Sequence, residues 1–259
     1  MKKAVLFDMD GVLIDSEVVM LHAAIDGLKP YGIDAKPEDF APFVGAGEDA
    51  YLGNVVRKYG VDYTLAVKSH VYDVYGEMIT HAYTCPRAGE IIAALAKQGI
   101  PFAICSSADK AKIHHNLRAL GIPETAFPAI VSGEDVTKNK PEPEIYEKGA
   151  AILGVKPEDC IVVEDTLNGI RAGKLSGATT VAIGTSLNLT DFIAGGNADY
   201  YLPTLSGLIR ILRQNGLDTG LSDRPVLLEA HRGVGTEAVE NTMAAFRLAK
   251  KQGYDMIEM

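Results

Sequence analysis

The segment Ala4-Val5-Leu6-Phe7-Asp8-Met9-Asp10-Gly11 runs four apolar residues into two aspartates spaced i, i+2, and then a glycine. On an extended chain, residues two apart point to the same side. Asp8 and Asp10 are therefore expected to converge on one point just past a buried strand, and Gly11 frees the chain to turn away there. Two carboxylates forced together repel unless a cation or a shared proton relieves them. A divalent metal with oxygen ligands, such as Mg²⁺, fits that role. Asp-x-Asp-Gly also occurs in ordinary turns, so this segment alone leaves both readings open.

Three further segments carry the choice. Pro101-Phe102-Ala103-Ile104-Cys105-Ser106-Ser107-Ala108 is an apolar run ending in two hydroxyls. Asn139-Lys140-Pro141-Glu142-Pro143 holds a lysine in a proline-stiffened loop. Cys160-Ile161-Val162-Val163-Glu164-Asp165 is a second apolar strand ending in acids, with a helix after it. Each has a plain structural explanation in isolation. Lys140 could be a solvated surface lysine, Ser106 could cap a helix starting near Asp109, and Glu164-Asp165 could sit at a helix N-terminus. In open α/β sheets, however, ligands sit at the carboxyl ends of the strands. Acids, hydroxyls, lysine and acids in that order can all line one crevice.

The elements that must position these groups are legible in outline. From about 16 to 82 the chain reads helical. Val18, Leu21, His22 and Ile25 fall on helical spacing after Ser16-Glu17, and Pro30 stops that helix. A short helical turn begins at Pro37, Gly45-Ala46-Gly47 breaks it, and helices are predicted over 48–59 and 64–81. This insert follows the aspartate pair directly and can cover the crevice as a lid. Beyond it the pattern alternates: helix 88–98, strand 101–106, helix 109–119, strand 129–132, helix 142–153, strand 160–165, helix 167–176, strand 179–183, then a strand near 199–202 and a helix near 205–214. Such alternation argues for an α/β fold with a parallel sheet and helices on both faces.

Bulk properties suit an enzyme of small molecules. The chain has 259 residues and a formal net charge of −9. An acidic surface argues against a nucleic-acid or anionic-membrane partner. No apolar run approaches the roughly 20 residues of a membrane helix, and Met1-Lys2-Lys3 leads directly into a strand rather than a secretory leader. Cys85, Cys105 and Cys160 are widely separated and lack metal-type spacing. They read as reduced thiols in a cytoplasmic protein.

With these four segments in order, residues 1 to about 214 resemble a phosphotransferase of the haloacid dehalogenase superfamily, in the branch of β-phosphoglucomutase and small sugar-phosphate phosphatases. The resemblance implies a Rossmann-like, doubly wound parallel sheet core (1–15 and 83–214) with an inserted α-helical cap (16–82). It implies an Mg²⁺-dependent reaction on a small phosphorylated metabolite through an aspartyl-phosphate. Asp8 resembles the nucleophile and a metal ligand. Asp10 resembles the general acid and base, with its backbone carbonyl also turned to the metal. Ser106, the Ser107 amide and Lys140 resemble the phosphate clamp. Asp165 resembles the outer metal ligand, and Glu164 contributes directly or through water. Gly45, Ala46, Gly47 and Glu48 stand where this branch carries its specificity loop.

Departures from the family pattern bear on the reaction. Met20 stands where the mutases carry a histidine on the first cap helix, and Gly47-Glu48 where their loop is basic. A phosphatase is therefore favoured over a mutase. Lys29, Lys36, Lys58 and Lys68 are available as the cap lysine of the phosphonate-cleaving relatives, but none stands in that family context. Asp10 argues against the true dehalogenases, which lack a second aspartate.

The last residues differ. Asn215-Gly216 to Ser222 reads as a linker (215–224). The segments Pro225-Val226-Leu227-Leu228-Glu229-Ala230-His231-Arg232-Gly233 and Tyr254-Asp255-Met256-Ile257-Glu258 resemble the start of a glycerophosphodiester phosphodiesterase, a TIM-barrel family. In that resemblance His231 is the first catalytic histidine, Arg232 a phosphate contact and Glu258 a metal ligand. A complete barrel needs about 250 residues, so 225–259 is expected to be a truncated or vestigial fragment. It would leave the protein a monomer or a weak self-associator through that fragment. Regulation of a barrel, or activity linked to one, is a further reading of the first region.

Overall fold

The central strand forms because four consecutive apolar residues can be buried on both faces at once, as parallel sheets require. The computed structural model describes residues 3–43, 47–186, 190, 192, 195 and 197–222, together with the backbone of 229–231 and 256–258. Strand β1 (Ala4–Phe7) is wholly inaccessible to solvent. Strands β2 (Phe102–Cys105), β3 (Ala129–Val131), β4 (Cys160–Glu164), β5 (Thr179–Ile183) and β6 (Tyr200–Leu202) complete a parallel sheet of order β3-β2-β1-β4-β5-β6. Alternate residues of β1 enter two different cores: Val5 and Phe7 join one, Ala4 and Leu6 the other. This is the doubly wound α/β arrangement that the alternating pattern predicts.

Between β1 and β2 the chain forms α1 (Glu17–Leu28), α2 (Pro37–Phe40), α3 (Glu48–Lys58) and α4 (Leu65–Met78), then α5 (Ala88–Lys97). Helices α6 (Lys110–Leu120), α7 (Glu144–Leu153), α8 (Leu167–Ser176) and α9 (Leu208–Gln214) alternate with the later strands. Two expectations are corrected here. The helix predicted over 64–81 ends at Met78, because Ile79 is extended and a separate 3₁₀ turn covers His81–Tyr83. The buried face of α1 is also not the predicted one. Val19, Met20, Ala23, Ala24, Gly27 and Leu28 are buried, while His22 and Val18 are exposed. The reason is close packing on α4: a Cβ at Gly27 would lie 3.1 Å from the Val71 Cα. Small residues therefore set that face. The aliphatic Val18 and Leu21 turn instead to the cavity over the strand ends.

The chain divides into two compact units, 1–221 and 222–259. Residues 215–221 of the expected linker belong to the first unit and are tied to it. Leu217 and Thr219 are buried, Lys3 Nζ donates to the Asn215 carbonyl at 2.7 Å, and Arg213 Nη2 to that of Leu221 at 2.7 Å. In the second unit, β7 (Glu229–His231) and β8 (Met256–Glu258) pair in parallel, with His231 in register with Glu258. Arg232 lies outside the described residues. Among the described residues, no helix is long and apolar enough to cross a membrane.

Candidate active site

Asp8 follows β1 where both flanking strands also end. The register pairs Phe7 with Ile104 of β2 and with Val163 of β4. The Asp8 amide donates to the Val163 carbonyl at 2.9 Å. Ser106 and the Glu164-Asp165 pair therefore flank Asp8 on either side, at the place where the strand order reverses and crevices form. Gly11 then turns the chain with φ +73°, in the left-handed region that favours glycine. Space demands glycine there as well, since a Cβ would lie 1.9 Å from Asp165 Oδ2.

Lys140 is drawn into the crevice by two acids. Its Nζ donates to Asp8 Oδ1 at 2.6 Å and to Glu164 Oε1 at 2.5 Å. Burial works against the ammonium, but the two carboxylates outweigh it and hold Lys140 above the usual lysine range. Glu164 is fully engaged by protein donors. Its Oε1 also accepts from Tyr146 Oη at 2.8 Å, and its Oε2 accepts from the Asp165 and Thr166 amides and the Thr166 hydroxyl at 2.9–3.0 Å. Despite burial, Lys140 and these bonds hold its carboxyl below the ordinary range. Glu164 thus orients Lys140, and its oxygens reach a cation most readily through water.

Asp8, Glu164 and Asp165 place one oxygen each within 4.8 Å of one another. Burial first, and the neighbouring acids second, push Asp165 well above the carboxylate range. Burial also pushes Asp8 up to about 7, with Lys140 opposing and Glu164 and Asp10 adding to the rise. Asp165 Oδ1 is buried with no hydrogen-bond partner, while Oδ2 accepts from Ser186. A buried orphan oxygen beside mutually repelling carboxylates fits a hard divalent cation, which takes oxygen ligands.

Asp10 departs from the expected convergence. Its carboxylate accepts at Oδ1 from Ser16 and, at 3.0 Å, from Asn116 Nδ2, and Lys112 Nζ lies 3.3 Å from Oδ2. The period of two holds only along the strand, and β1 ends at Phe7, so Asp10 sits in the turn and aims elsewhere. Its carboxylate is outside the acidic cluster, which leaves its backbone carbonyl as the group to offer a cation. Ser106 is buried, and its Oγ accepts from the Ala108 amide at 3.1 Å.

A cavity of about 400 Å³ joins these groups, with Asp8, Asp10, Ser106, Ser107, Lys140 and Asp165 along its floor. Its roof includes Val18, Leu21, Phe40, Phe43 and Tyr51 from the helical insert. Gly47 lines it, with φ +91° at the N-cap of α3. Gly45, Ala46 and the Glu48 side chain lie outside the described residues. Lys29, Lys36, Lys58 and Lys68 all pair with acids (Asp26, Asp34, Asp39, and Asp49 with Asp109) and are absent from the described lining.

Tyr146, Ser16, Lys112 and Asn116 are site residues that the motifs did not reveal. For the last two a signal existed. Lys112 and Asn116 fall in the same helical stripe as the buried Ile113, Leu117 and Leu120, and polar residues in an apolar stripe ask for a reason.

Residues 2–177 match the family model of haloacid dehalogenase-like hydrolases. Residues 231–259 match that of the glycerophosphoryl diester phosphodiesterase family. Protein SUPPRESSOR OF QUENCHING 1, chloroplastic, of Arabidopsis thaliana is 36% identical over 197 residues, which are 71% of this chain and 18% of that protein. The chain thus spans less than a fifth of that relative's length. Hexitol phosphatase A of Escherichia coli K12 is 31% identical over 190 residues, 70% of this chain and 82% of its own. The crystal structure of a putative β-phosphoglucomutase from Thermotoga maritima superposes with a TM-score of 0.66 at 26% identity, covering 83% of this chain and 99% of the other.

Proposed function

The chain belongs to the haloacid dehalogenase-like hydrolase family, and from that premise we propose that it is an Mg²⁺-dependent phosphomonoesterase working through an aspartyl-phosphate. Its substrate is a small phosphorylated metabolite, a sugar phosphate, and its compartment the cytoplasm. The observation that carries this reading is the Asp8–Lys140–Glu164 contact, with the orphaned Asp165 oxygen beside it. It supports the reading because a carboxylate fit to attack phosphorus, an ammonium fit to hold phosphate and an acid with an unpartnered oxygen share one buried crevice. The relative named as a hexitol phosphatase supports the substrate class.

Asp8 and Asp165 would hold the metal, with Glu164 reaching it through water. When bound, Mg²⁺ offsets the charge of the phosphoryl oxygens, so that one anion can approach another. Asp8 attacks phosphorus, forming an O–P bond as the ester P–O bond breaks. Lys140 and Ser106 hold the phosphoryl oxygens meanwhile. Asp10 gives its proton to the leaving alkoxide, then removes one from the water that cleaves the aspartyl-phosphate. Met20, a buried thioether lining the cavity, can neither take a proton from an attacking sugar hydroxyl nor orient it with a strong hydrogen bond, which favours hydrolysis over the mutase reaction.

The test is phosphate release from a panel of phosphomonoesters with Mg²⁺, wild type against Asp8→Asn. Activity that requires the metal and drops to background in Asp8→Asn is the expected result. Equal release by both proteins, or none from any ester, refutes the reading.

A further inference from the structure

We propose that Asn116 and Lys112 are positioning residues for the Asp10 carboxylate, and that Tyr75 ties them to the helical insert. The proposal rests on the phosphatase reading and adds to it how the acid–base group is aimed. Asn116 is wholly buried on α6. Its Nδ2 donates to Asp10 Oδ1 at 3.0 Å, and its Oδ1 accepts from the hydroxyl of Tyr75, a buried residue of α4. The amide is thereby held at both ends: the Asp10 carboxylate can only accept, so the amide nitrogen faces it and the amide oxygen is left to accept from Tyr75. Ser16 at the start of α1 donates to the same Asp10 oxygen.

With Oδ1 already accepting from Ser16 and Asn116, Oδ2 is the oxygen left to exchange a proton in the cavity. Lys112 stands beside it at 3.3 Å, nearly buried, with its ammonium 5.9 Å from the Tyr75 ring centroid. In the forward step the proton passes from Asp10 Oδ2 to the ester oxygen while the P–O bond breaks, leaving a carboxylate on Asp10. Asn116 and Lys112 are the groups that meet that carboxylate. A residue without an N–H donor at either position would leave the new charge less stabilised and the carboxylate free to rotate. The relay runs from insert to core, so the aim of Asp10 depends on the two being apposed as they are here.

Leaving-group dependence separates positioning of a proton donor from simple structural damage. The parameter kcat/KM covers steps only up to departure of the leaving group, so later hydrolysis of the aspartyl-phosphate does not enter. p-Nitrophenolate leaves without a proton, whereas an alkoxide needs one. Asn116→Ala and Lys112→Met are expected to lower kcat/KM tenfold or more for a sugar phosphate. For p-nitrophenyl phosphate the loss should be at least about fivefold smaller, because that leaving group does not draw on the aim of Asp10. Tyr75→Phe, which keeps the ring, is the milder variant should the others fold poorly, and a threefold or greater selective loss is expected from it. Equal losses on both esters, or no loss on either, overturn the proposal. A wild type inactive on every ester overturns the phosphatase reading, and this inference with it.

Discussion

Replacing Gly11 by alanine tests two structural claims at once, and Gly32→Ala supplies the control. Both glycines have φ near +75°, but nothing lies within 4 Å of a Cβ at Gly32, whereas a Cβ at Gly11 meets Asp165 Oδ2 at 1.9 Å. Ordinary contact begins near 3.4 Å, so the Asp165 carboxylate must move by about 1.5 Å. The left-handed backbone costs each variant about 1–2 kcal/mol. In a unit of some 220 residues that lowers the melting temperature by about 2–8 °C. Only Gly11→Ala also displaces the proposed metal ligand. Disturbing a ligand's surroundings weakens metal binding about 10–100-fold. At a cation concentration 100 times the wild-type Kd, binding stabilises the protein by about 2.7 kcal/mol, and a 100-fold weaker site by about 0.4 kcal/mol. Thermal unfolding with and without Mg²⁺ reads the difference. Wild type and Gly32→Ala should each gain about 5–10 °C, and Gly11→Ala only about 1–6 °C over that 100-fold to 10-fold range. A full Mg²⁺-dependent gain in Gly11→Ala would refute the placement of Asp165 as a ligand.

Other perturbations reach the supports of the site. Tyr146→Phe removes the 2.8 Å bond to Glu164 Oε1 inside the core, and a loss of about 1.5–3 kcal/mol is expected in urea unfolding, as for hydrogen bonds to charged groups. Thr166 caps α8 by accepting from the Gly169 amide at 3.1 Å, and also donates to Glu164, so Thr166→Ala should cost about 1–2 kcal/mol by the same measurement. Gly27→Val would press side-chain atoms on the Val71 backbone and is expected to cost about 1–3 kcal/mol. An unchanged melting temperature would contradict the α1–α4 packing. Acid unfolding should report Asp135: burial opposes it, but Lys110 and the Ser132 amide and hydroxyl outweigh burial and hold its carboxyl at about 2. A depressed carboxyl contributes stability above its unfolded pKa of 3.8 that is lost as pH falls toward 2. With a third of the side chain exposed, solvent screening reduces the contribution to about 1 kcal/mol. Asp135→Asn should remove that part of the pH dependence and leave neutral-pH activity intact.

The order of strands and helices was readable because each is a local pattern. Apolar runs bounded by acids, hydroxyls or glycine mark β1, β2 and β4, and the α/β alternation implies a parallel sheet whose carboxyl ends collect Asp8, Ser106, Lys140 and Asp165. Those residue types in that order suffice to suggest one shared crevice, since the sheet brings strand ends together whatever the details of packing, and phosphoryl chemistry followed from the family resemblance that they carry. The directions of individual side chains were not readable. Asp10 was expected beside Asp8, yet the turn after β1 sends it to Asn116, 106 residues away. Glu164 was expected to serve a metal directly or through water; it lies in the acidic cluster, but Lys140, Tyr146 and its own helix N-terminus take up its oxygens, a division of roles that the sequence did not show. The buried face of α1 followed from the backbone of α4 rather than from its own apolar spacing. Local sequence fixes which groups stand at the strand ends. Which of them face one another is decided by contacts between distant segments, through steric fit and the pairing of buried charge, and these exist only once the chain has folded.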